Sequence, residues 1–269
     1  MLKNISFLLL NLILINSTFS QINISGTVLS SNLKDSLSYV NIGVLNKDIG
    51  SVSNDKGRFE LELKKEFLNE SLTFSMIGYK SKTIRIVDFK KHKTIILEEN
   101  ITELDEIVIS NKKYKSKILG NKKPKSFLAS LSFSKIEAGN EIGIKVKVRK
   151  PTIIETFNIA VLKNEYGILN LRINFYDLKK GIPNKRINKD NIIISAEVKD
   201  GIITADLSKY ELIFKDDFFV SVESLKKLDD NKEIIFAGRI LNKSFARKTS
   251  QGSWNKVKVG FCIFLNGKE

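Results

Sequence analysis

Short runs of alternating apolar and polar residues recur along the chain and limit what it can fold into. In each run every second residue is apolar, which places the apolar side chains on one face of a β-strand. The runs at 22–28, 40–44, 59–63 and 72–76 show this pattern. Turn-forming residues separate them, as in Asn-Asp-Lys-Gly at 54–57. Short strands at this spacing predict an antiparallel β-sandwich or barrel.

A lysine-rich segment interrupts the alternation at residues 111–125. Within it, residues 112–125 have the sequence KKYKSKILGNKKPK, which contains seven lysines and no acidic residue. Repulsion between like charges, together with Gly120 and Pro124, disfavours regular structure there. We therefore predict a linker at 111–125, between a first domain at 21–110 and a second domain at 126–269. A tail that binds polyanions is the alternative interpretation.

The alternation resumes in the second domain. At 142–148 isoleucine, then valine, occupies every second position, with Lys145 and Lys147 between them. Such a strand has one buried face and one cationic face. About eight or nine strands of this kind follow the linker, as in a two-sheet sandwich such as a jelly roll. The chain is thus expected to be all-β, with two antiparallel β-sandwich domains.

Residues 1–20 have the pattern of a secretory signal peptide. Lys3 precedes an apolar run, and the small residues Thr18 and Ser20 precede a cleavage site before Gln21. The apolar run is shorter than the ~20 residues of a transmembrane helix, which disfavours the alternative of a membrane anchor. No cysteine follows the run to carry a lipid. We expect an exported chain that does not span a membrane.

Three segments of the first domain resemble a known family. They are ISGTVL at 24–29, SLSYVNIGVLNKDIGSVSNDKGRFEL at 36–61 and LTFSMIGYKSKTIRI at 72–86. They are similar to the carboxypeptidase-regulatory-like domain of exported bacterial proteins, a transthyretin-like β-sandwich. The resemblance covers about 22–110. The matching positions are Gly26, Val28, Val40, Asn41, Ile42, Gly50, Gly57, Phe59, Leu61, Leu72, Phe74, Ser75, Ile77, Gly78 and Tyr79.

Several matching residues also have a structural interpretation. Gly57 can adopt the positive φ of a tight turn, and Gly26 within a strand indicates a bulge or a close neighbour. Phe59 belongs to the core side of its strand. Gly78 and Tyr79 end a buried strand, where the Tyr79 ring is predicted to cap the core.

Further resemblances point to the cell envelope. LDEIVI at 104–109 is similar to the segment that follows this domain in TonB-dependent outer-membrane receptors, although this chain has no room for their barrel. The second domain resembles, more loosely, the C-terminal module of small exported proteins, through DDFFVSVESL at 216–225 and TSQGSWNKV at 249–257. The resemblance implies a location in the periplasm or at the cell surface of a Gram-negative bacterium, and no particular activity.

The residue types disfavour many kinds of catalytic site. His92 is the only histidine and Cys262 the only cysteine, so neither a multi-histidine metal site nor a cysteine zinc cluster can form. Adjacent acidic pairs at 105–106, 216–217 and 229–230 make poor dyads, because neighbours in a strand face opposite ways. We predict no catalytic residue, no metal and no cofactor.

The net charge of +15 has two interpretations. It could attract a polyanion such as nucleic acid, acidic polysaccharide or anionic lipid. Alternatively it reflects a composition rich in isoleucine, lysine and asparagine. Lysine outnumbers arginine, the usual residue for bidentate phosphate recognition, and no aromatic platform accompanies the cations. We favour the composition bias and predict no nucleic-acid partner.

Aromatic residues of the second domain are the candidate ligand-binding residues. Trp254, Tyr166 and Tyr176 could stack on a carbohydrate, or could close the ends of the sandwich core. The preferred function is a non-enzymatic binding or accessory protein of the envelope, with an envelope protein or a polysaccharide as partner. The alternative is a hydrolase that uses an acid pair on a jelly-roll scaffold. The oligomeric state is not predicted.

Overall fold

A computed structural model describes residues 21–32, 34–91, 93–100, 114–122, 129–240 and 242–269. The predicted signal peptide, the LDEIVI segment and His92 lie outside these ranges. The regular elements within them are β-strands and three short 3₁₀ turns, at Lys65–Phe67, Ile86–Lys91 and Ser208–Tyr210. None of the described segments is a helix with the length and hydropathy needed to cross a membrane.

The first domain is a sandwich of two sheets. Its strands are β1 (Gln21–Ser30), β2 (Asn41–Gly43), β3 (Gly50–Val52), β4 (Arg58–Lys64), β5 (Ser71–Ser75), β6 (Lys82–Arg85) and β7 (Thr94–Leu97). One sheet has the order β4-β1-β7 and the other β3-β2-β5-β6. The pairing of β1 with β7 is parallel, whereas the other pairings are antiparallel. The inner faces enclose one core of aliphatic and phenylalanine side chains.

The second domain is a larger sandwich with its own core. Its strands are β8 (Ser116–Gly120), β9 (Ala129–Phe133), β10 (Glu141–Val146), β11 (Thr152–Asn164), β12 (Ile168–Lys179), β13 (Ile182–Arg186), β14 (Ile192–Glu197), β15 (Gly201–Asp206), β16 (Leu212–Phe214), β17 (Phe218–Ser224), β18 (Ile234–Arg239), β19 (Ser244–Arg247), β20 (Asn255–Val257), β21 (Gly260–Phe261) and β22 (Ile263–Lys268).

Two antiparallel sheets make up this sandwich. A seven-stranded sheet has the order β13-β12-β17-β10-β19-β20, with β14 also paired to β12. An eight-stranded sheet has the order β21-β18-β11-β22-β8, with β15 and β16 paired to β11 and β9 paired to β18. The prediction of an all-β fold built from two antiparallel sandwiches is confirmed.

The predicted linker at 111–125 is wrong for residues 116–120, which form β8. This strand pairs with β22 at the edge of the eight-stranded sheet. Leu119 is buried in the second core, and Lys117 Nζ lies 3.1 Å from Glu269 Oε1. The burial of Leu119 and the ion pair of Lys117 offset the repulsion on which the prediction depended. Residues 111–113 and 123–125 lie outside the described ranges.

The residues of the first domain that match the family pattern occupy turns and packed positions. Gly57 has a φ of +70° in the turn between β3 and β4, which joins the two sheets. A Cβ at Gly26 would lie 2.5 Å from the Lys93 carbonyl oxygen and 3.1 Å from the Phe59 ring. Gly78 has a φ of +83° after β5, and the half-buried Tyr79 packs against the core.

Candidate functional site

The outer face of the seven-stranded sheet, which points away from the second core, carries buried polar side chains. The apolar residues at 171, 173 and 175 of β12 point into the core. Since side chains alternate between the faces of a strand, Arg172, Asn174 and Tyr176 lie on the outer face. They are 1%, 0% and 3% exposed, respectively. Because these side chains are so little exposed to solvent, other parts of the molecule must cover the outer face.

Arg172 and Glu223 form a buried ion pair on this face. The sheet register sets Arg172 on β12 opposite Glu223 on β17, and Arg172 Nε donates to Glu223 Oε2 over 2.9 Å. Asn174 Nδ2 donates to the same oxygen over 2.9 Å. Arg186 on β13 lies 3.6 Å from it. One carboxylate oxygen therefore faces three donor side chains.

Glu141 is the second buried carboxylate of this face. In the register it lies opposite both Glu223 and Arg247, and Arg247 Nε donates to Glu141 Oε2 over 2.7 Å. The Tyr176 hydroxyl donates to Glu141 Oε1 over 2.9 Å, as does the Ser221 hydroxyl. Two neighbouring carboxylates are thus each held by a guanidinium. We call this set the polar network: Glu141, Arg172, Asn174, Tyr176, Arg186, Ser221, Glu223 and Arg247.

The surroundings of Glu141 keep it ionised. Burial alone would raise the pKa of its carboxyl, but the guanidiniums of Arg247 and Arg186 outweigh that effect. With hydrogen bonds from Ser221 and Asn174, they hold the pKa below its ordinary value. The carboxylate is therefore ionised near neutral pH, which suits a hydrogen-bond acceptor and not a general acid.

The polar network carries three arginines and two glutamates, and three of its buried atoms have no hydrogen-bond partner in the described structure. These atoms are Asn174 Oδ1, Arg186 Nε and Glu223 Oε1. An unpaired buried polar atom costs about 1–3 kcal/mol.

The first domain covers part of this outer face through the backbone around β2. Arg172 Nη1 donates to the Tyr39 carbonyl oxygen over 2.7 Å, and Arg172 Nη2 donates to Asn41 Oδ1. Asn41 belongs to the VNI segment of the family resemblance and is 1% exposed. The buried arginine of the second domain therefore ends on the first domain.

A second contact joins the domains through segment 248–253, which follows β19. The Gln251 side chain donates to Ser75 Oγ over 2.8 Å. The backbone carbonyl oxygen of Gln251 accepts from the Asn46 N–H over 2.9 Å. The Ser253 hydroxyl donates to the Asn46 carbonyl oxygen over 3.1 Å. These bonds lie on the side of the second domain where the polar network meets the first.

A cleft of about 1320 Å³ opens between the two domains beside the polar network. Glu60 and Glu62 of β4 line one wall, and Glu141 and Arg247 line the other. At the rim an ion pair of 3.4 Å joins Lys248 to Asp48 across the domains. The apolar part of the lining includes Ile136, Ile142, Leu169, Leu171, Leu228 and Phe236.

The three candidate aromatic residues are not brought together. Trp254 packs edge-on against Phe219 at 4.9 Å and Tyr176 at 5.7 Å between ring centroids, and the Arg247 guanidinium lies 4.6 Å from its ring. Tyr166 precedes the other end of β12, which begins at Ile168. At the usual rise per residue of a strand, Ile168 and Tyr176 are roughly 25 Å apart. The three rings therefore do not form one platform.

The three rings have different surroundings. Trp254 is half-buried on the outer face of the sheet, in a cluster with Tyr176, Phe219 and Phe245 that is separate from the second core. Tyr176 is buried, so its ring offers no open face to a sugar. Tyr166 packs against the second core and donates its hydroxyl to the Lys232 carbonyl oxygen over 2.6 Å.

The other candidate groups are placed in structural surroundings. Cys262 is buried, and the Asp229 carboxylate accepts the Asn231 N–H over 3.0 Å within a turn. Among the described residues, no group of three or more histidine, cysteine or acidic side chains could hold a metal ion.

Sequence reasoning missed the polar network. The available signal was Arg172 and Asn174 inside an otherwise apolar strand, and Glu223 inside DDFFVSVESL. Both segments singled out in the second domain contribute to the site, since 216–225 contains β17 and 249–257 contains Gln251, Ser253 and Trp254.

The model of the CarboxypepD_reg-like domain family matches residues 24–109. The first domain is therefore a CarboxypepD_reg-like domain, in agreement with the resemblance read from the sequence. A domain of this class is a regulatory or binding module and not a catalytic one. The match ends before the second domain begins.

No curated protein matches the chain significantly. A structure of the infectious bursal disease virus Gx strain is 8% identical, covers 92% of this chain and 64% of that chain, and has a TM-score of 0.26. BcpA, the major pilin subunit of Bacillus cereus, is 8% identical and covers 90% of this chain and 69% of that chain, with a TM-score of 0.20. The chain thus spans less than two thirds of the viral protein. TM-scores this low do not establish a shared fold.

Proposed function

We propose that the protein is an exported, non-enzymatic binding or accessory protein of the cell envelope, which holds a partner in the cleft between its two domains. The observation that carries this proposal is the cleft itself, to which the CarboxypepD_reg-like domain and the second domain each contribute one wall. The N-terminal pattern at 1–20 and the family resemblance support export.

The size and lining of the cleft favour a segment of a polymer over a small metabolite. Pockets for small molecules have volumes of about 300–1,000 Å³, and this cleft is larger, at about 1320 Å³. Its floor is apolar, while Glu60 and Glu62 on one wall face a second-domain wall that includes Lys135 and Lys227. An extended segment of an envelope protein, or of a polysaccharide, could contact both walls at once.

The chemistry of the polar network favours binding over hydrolysis. A hydrolase on this scaffold would need a carboxyl that can donate a proton. Glu141, which lines the cleft, has a lowered pKa because Arg247 and Arg186 outweigh the effect of its burial. We therefore place the hydrolase alternative second.

Charge reversal on the first-domain wall tests this proposal. The variant E60K/E62K changes two exposed side chains of β4 and leaves the core unaltered. We expect it to lose capture of envelope proteins in a pull-down, or of glycans on an array, that the unaltered protein captures. E197K/E211K, with the same charge change at exposed positions that do not line the cleft, should retain that capture.

Two results would contradict the proposal. One is equal capture by E60K/E62K and the unaltered protein. The other is turnover of a polysaccharide or peptide that is lost when a single cleft carboxylate is replaced. Cell fractionation tests the location, since a cytoplasmic mature chain would contradict export.

A further inference from the structure

Two exposed loops at one end of the second domain are strongly cationic. The loop between β10 and β11 carries Lys147, Arg149 and Lys150, and the turn between β12 and β13 carries Lys179 and Lys180. All five residues are exposed. In the described structure none of them takes part in an ion pair, so their charges face solvent.

The sheet register places these loops at the same end of the sheet, with β17 between the strands that carry them. Val146, the last residue of β10, lies opposite Phe218, the first residue of β17. The next residue, Phe219, lies opposite Tyr176 near the end of β12. The end of β10, the start of β17 and the end of β12 therefore share one end of the sheet.

The cleft lies at the opposite end of the same strands. Glu141 begins β10 and lines the cleft, as does Ser224 at the end of β17. The cationic loops are therefore separated from these cleft residues by the length of the strands. Their charge is separate from the partner site proposed above.

A third loop at this end adds only a little opposing charge. Residues 215–217 contain Lys215, Asp216 and Asp217. The Asp217 carboxylate already lies 3.3 Å from Lys145 Nζ. The positive charge of the two cationic loops is therefore not neutralised by the neighbouring loop.

An apolar side chain projects among these cations. Ile182 follows Lys179 and Lys180 in the hairpin turn and is 44% exposed. Gly181 between them has a φ of +76°, which fits a tight turn at the tip of the hairpin. Exposed lysines flanking an exposed aliphatic residue suit a membrane interface, where cations meet anionic headgroups and the apolar group enters the acyl boundary.

We propose that this end of the second domain docks on an anionic lipid surface. We call it the basic tip: Lys147, Arg149, Lys150, Lys179, Lys180 and Ile182. A general excess of lysine would spread its charge over the molecule, whereas the basic tip concentrates five cations in two loops at one end of the sheet. Ile182 favours a lipid surface over a free acidic polymer, which would engage the cations alone.

Co-sedimentation with vesicles tests the proposal. We expect the protein to bind vesicles of phosphatidylcholine mixed with phosphatidylglycerol, to bind phosphatidylcholine alone weakly, and to lose affinity as salt rises. K150E/K179E removes one lysine from each loop. From the contribution of each lysine near an anionic surface, it should bind at least about thirty-fold more weakly.

A matched control separates the basic tip from net charge. K199E/K232E has the same charge change at exposed turns of the second domain outside the basic tip, and it should bind almost as well as the unaltered protein. Equal weakening in both double variants would overturn the proposal. So would equal binding to charged and uncharged vesicles.

I182S removes the apolar side chain without adding a charge, and it therefore separates lipid from polymer. It should weaken vesicle binding while leaving the binding of soluble dextran sulfate unchanged. Dextran sulfate binding without vesicle binding would overturn the proposal in favour of an acidic polymer. Unchanged thermal unfolding of each variant confirms that these exposed changes leave the fold intact.

Discussion

Arg172 Nη1 donates to the carbonyl oxygen of Tyr39 over 2.7 Å, so that a side chain of the second domain ends on the backbone of the first. The same guanidinium pairs with Glu223 and is 1% exposed. Tyr39 has a φ of +60°, in a region that residues other than glycine adopt uncommonly. One buried ion pair thus connects the interior of the second domain with a turn of the first.

Replacing Arg172 should destabilise the protein strongly. R172M retains an unbranched apolar side chain but leaves the Glu223 carboxylate without its main partner. Breaking a buried pair in this way costs about 3–5 kcal/mol, measurable as the free energy of unfolding in urea. R58M, at an exposed position of β4, provides the control and should change stability by less than about 0.5 kcal/mol. A similar small change for R172M would show that the pair does not stabilise the docked domains.

The stability of the protein should fall in acid partly because of Glu141. Burial opposes ionisation, but Arg247 and Arg186 hold the pKa of this carboxyl below its ordinary value of 4.5. The unfolded chain therefore takes up the proton first, and the stabilisation present above pH 4.5 is lost as the pH falls through the folded-state pKa. Urea unfolding at a series of pH values below about 5 should show this loss.

The variant E141Q is the control for this pH dependence. It cannot titrate, so its stability should be lower at neutral pH and should vary less with pH in the acidic range. An identical acid dependence in E141Q and the unaltered protein would assign the effect to other carboxyls.

The strands of both sandwiches could be predicted because alternation is a local property of the sequence. Residues 142–146 and 72–74 illustrate this, since each has the buried positions that its apolar pattern indicates. The failure at 116–120 has a different origin. The repulsion among the lysines is local, but Leu119 gains burial and Lys117 gains Glu269 only through pairing with β22, which lies about 140 residues further along the chain.

The polar network could not be predicted, because its burial depends on contacts outside the sheet, such as that of Arg172 with the neighbouring domain and that of Tyr176 with Trp254. Strand alternation places Arg172 and Glu223 on the outer face, where an isolated sandwich would expose them to water. They are buried because the Tyr39 and Asn41 region packs on that face. That contact depends on how two domains dock, which periodicity does not encode.

Replacing Gly26 by alanine should destabilise the first domain. A Cβ at this position would lie 2.5 Å from the backbone oxygen of Lys93 and 3.1 Å from the Phe59 ring. Overpacking of this kind costs about 1–3 kcal/mol, which thermal unfolding would detect as a lower midpoint. G167A is the contrasting variant, because nothing lies within 4 Å of a Cβ there and only its φ of +76° opposes the change. Equal stability of G26A and the unaltered protein would show that β1 and β7 can move apart at this point.

The last prediction concerns Trp254, because a binding role and a packing role for its ring predict different results. It contacts Phe219 and Tyr176 edge-on, and the Arg247 guanidinium lies 4.6 Å from the ring. Since the ring is half-buried, W254A should cost less than the ~3–5 kcal/mol of a fully buried tryptophan, and we expect about 2 kcal/mol. Urea unfolding measures this loss.

Fluorescence of the native protein provides the matching measurement, since Trp254 is the only tryptophan. Acrylamide is the suitable quencher, because the charge of Arg247 would attract iodide to the ring. We expect emission intermediate between buried and exposed tryptophan, with quenching slower than in the urea-unfolded chain. Fast quenching combined with unchanged stability of W254A would instead favour a ring held open for a carbohydrate ligand. In that case W254A should also abolish glycan binding. Slow quenching together with a loss of about 2 kcal/mol would instead indicate a packing role, for which no loss of glycan binding is expected.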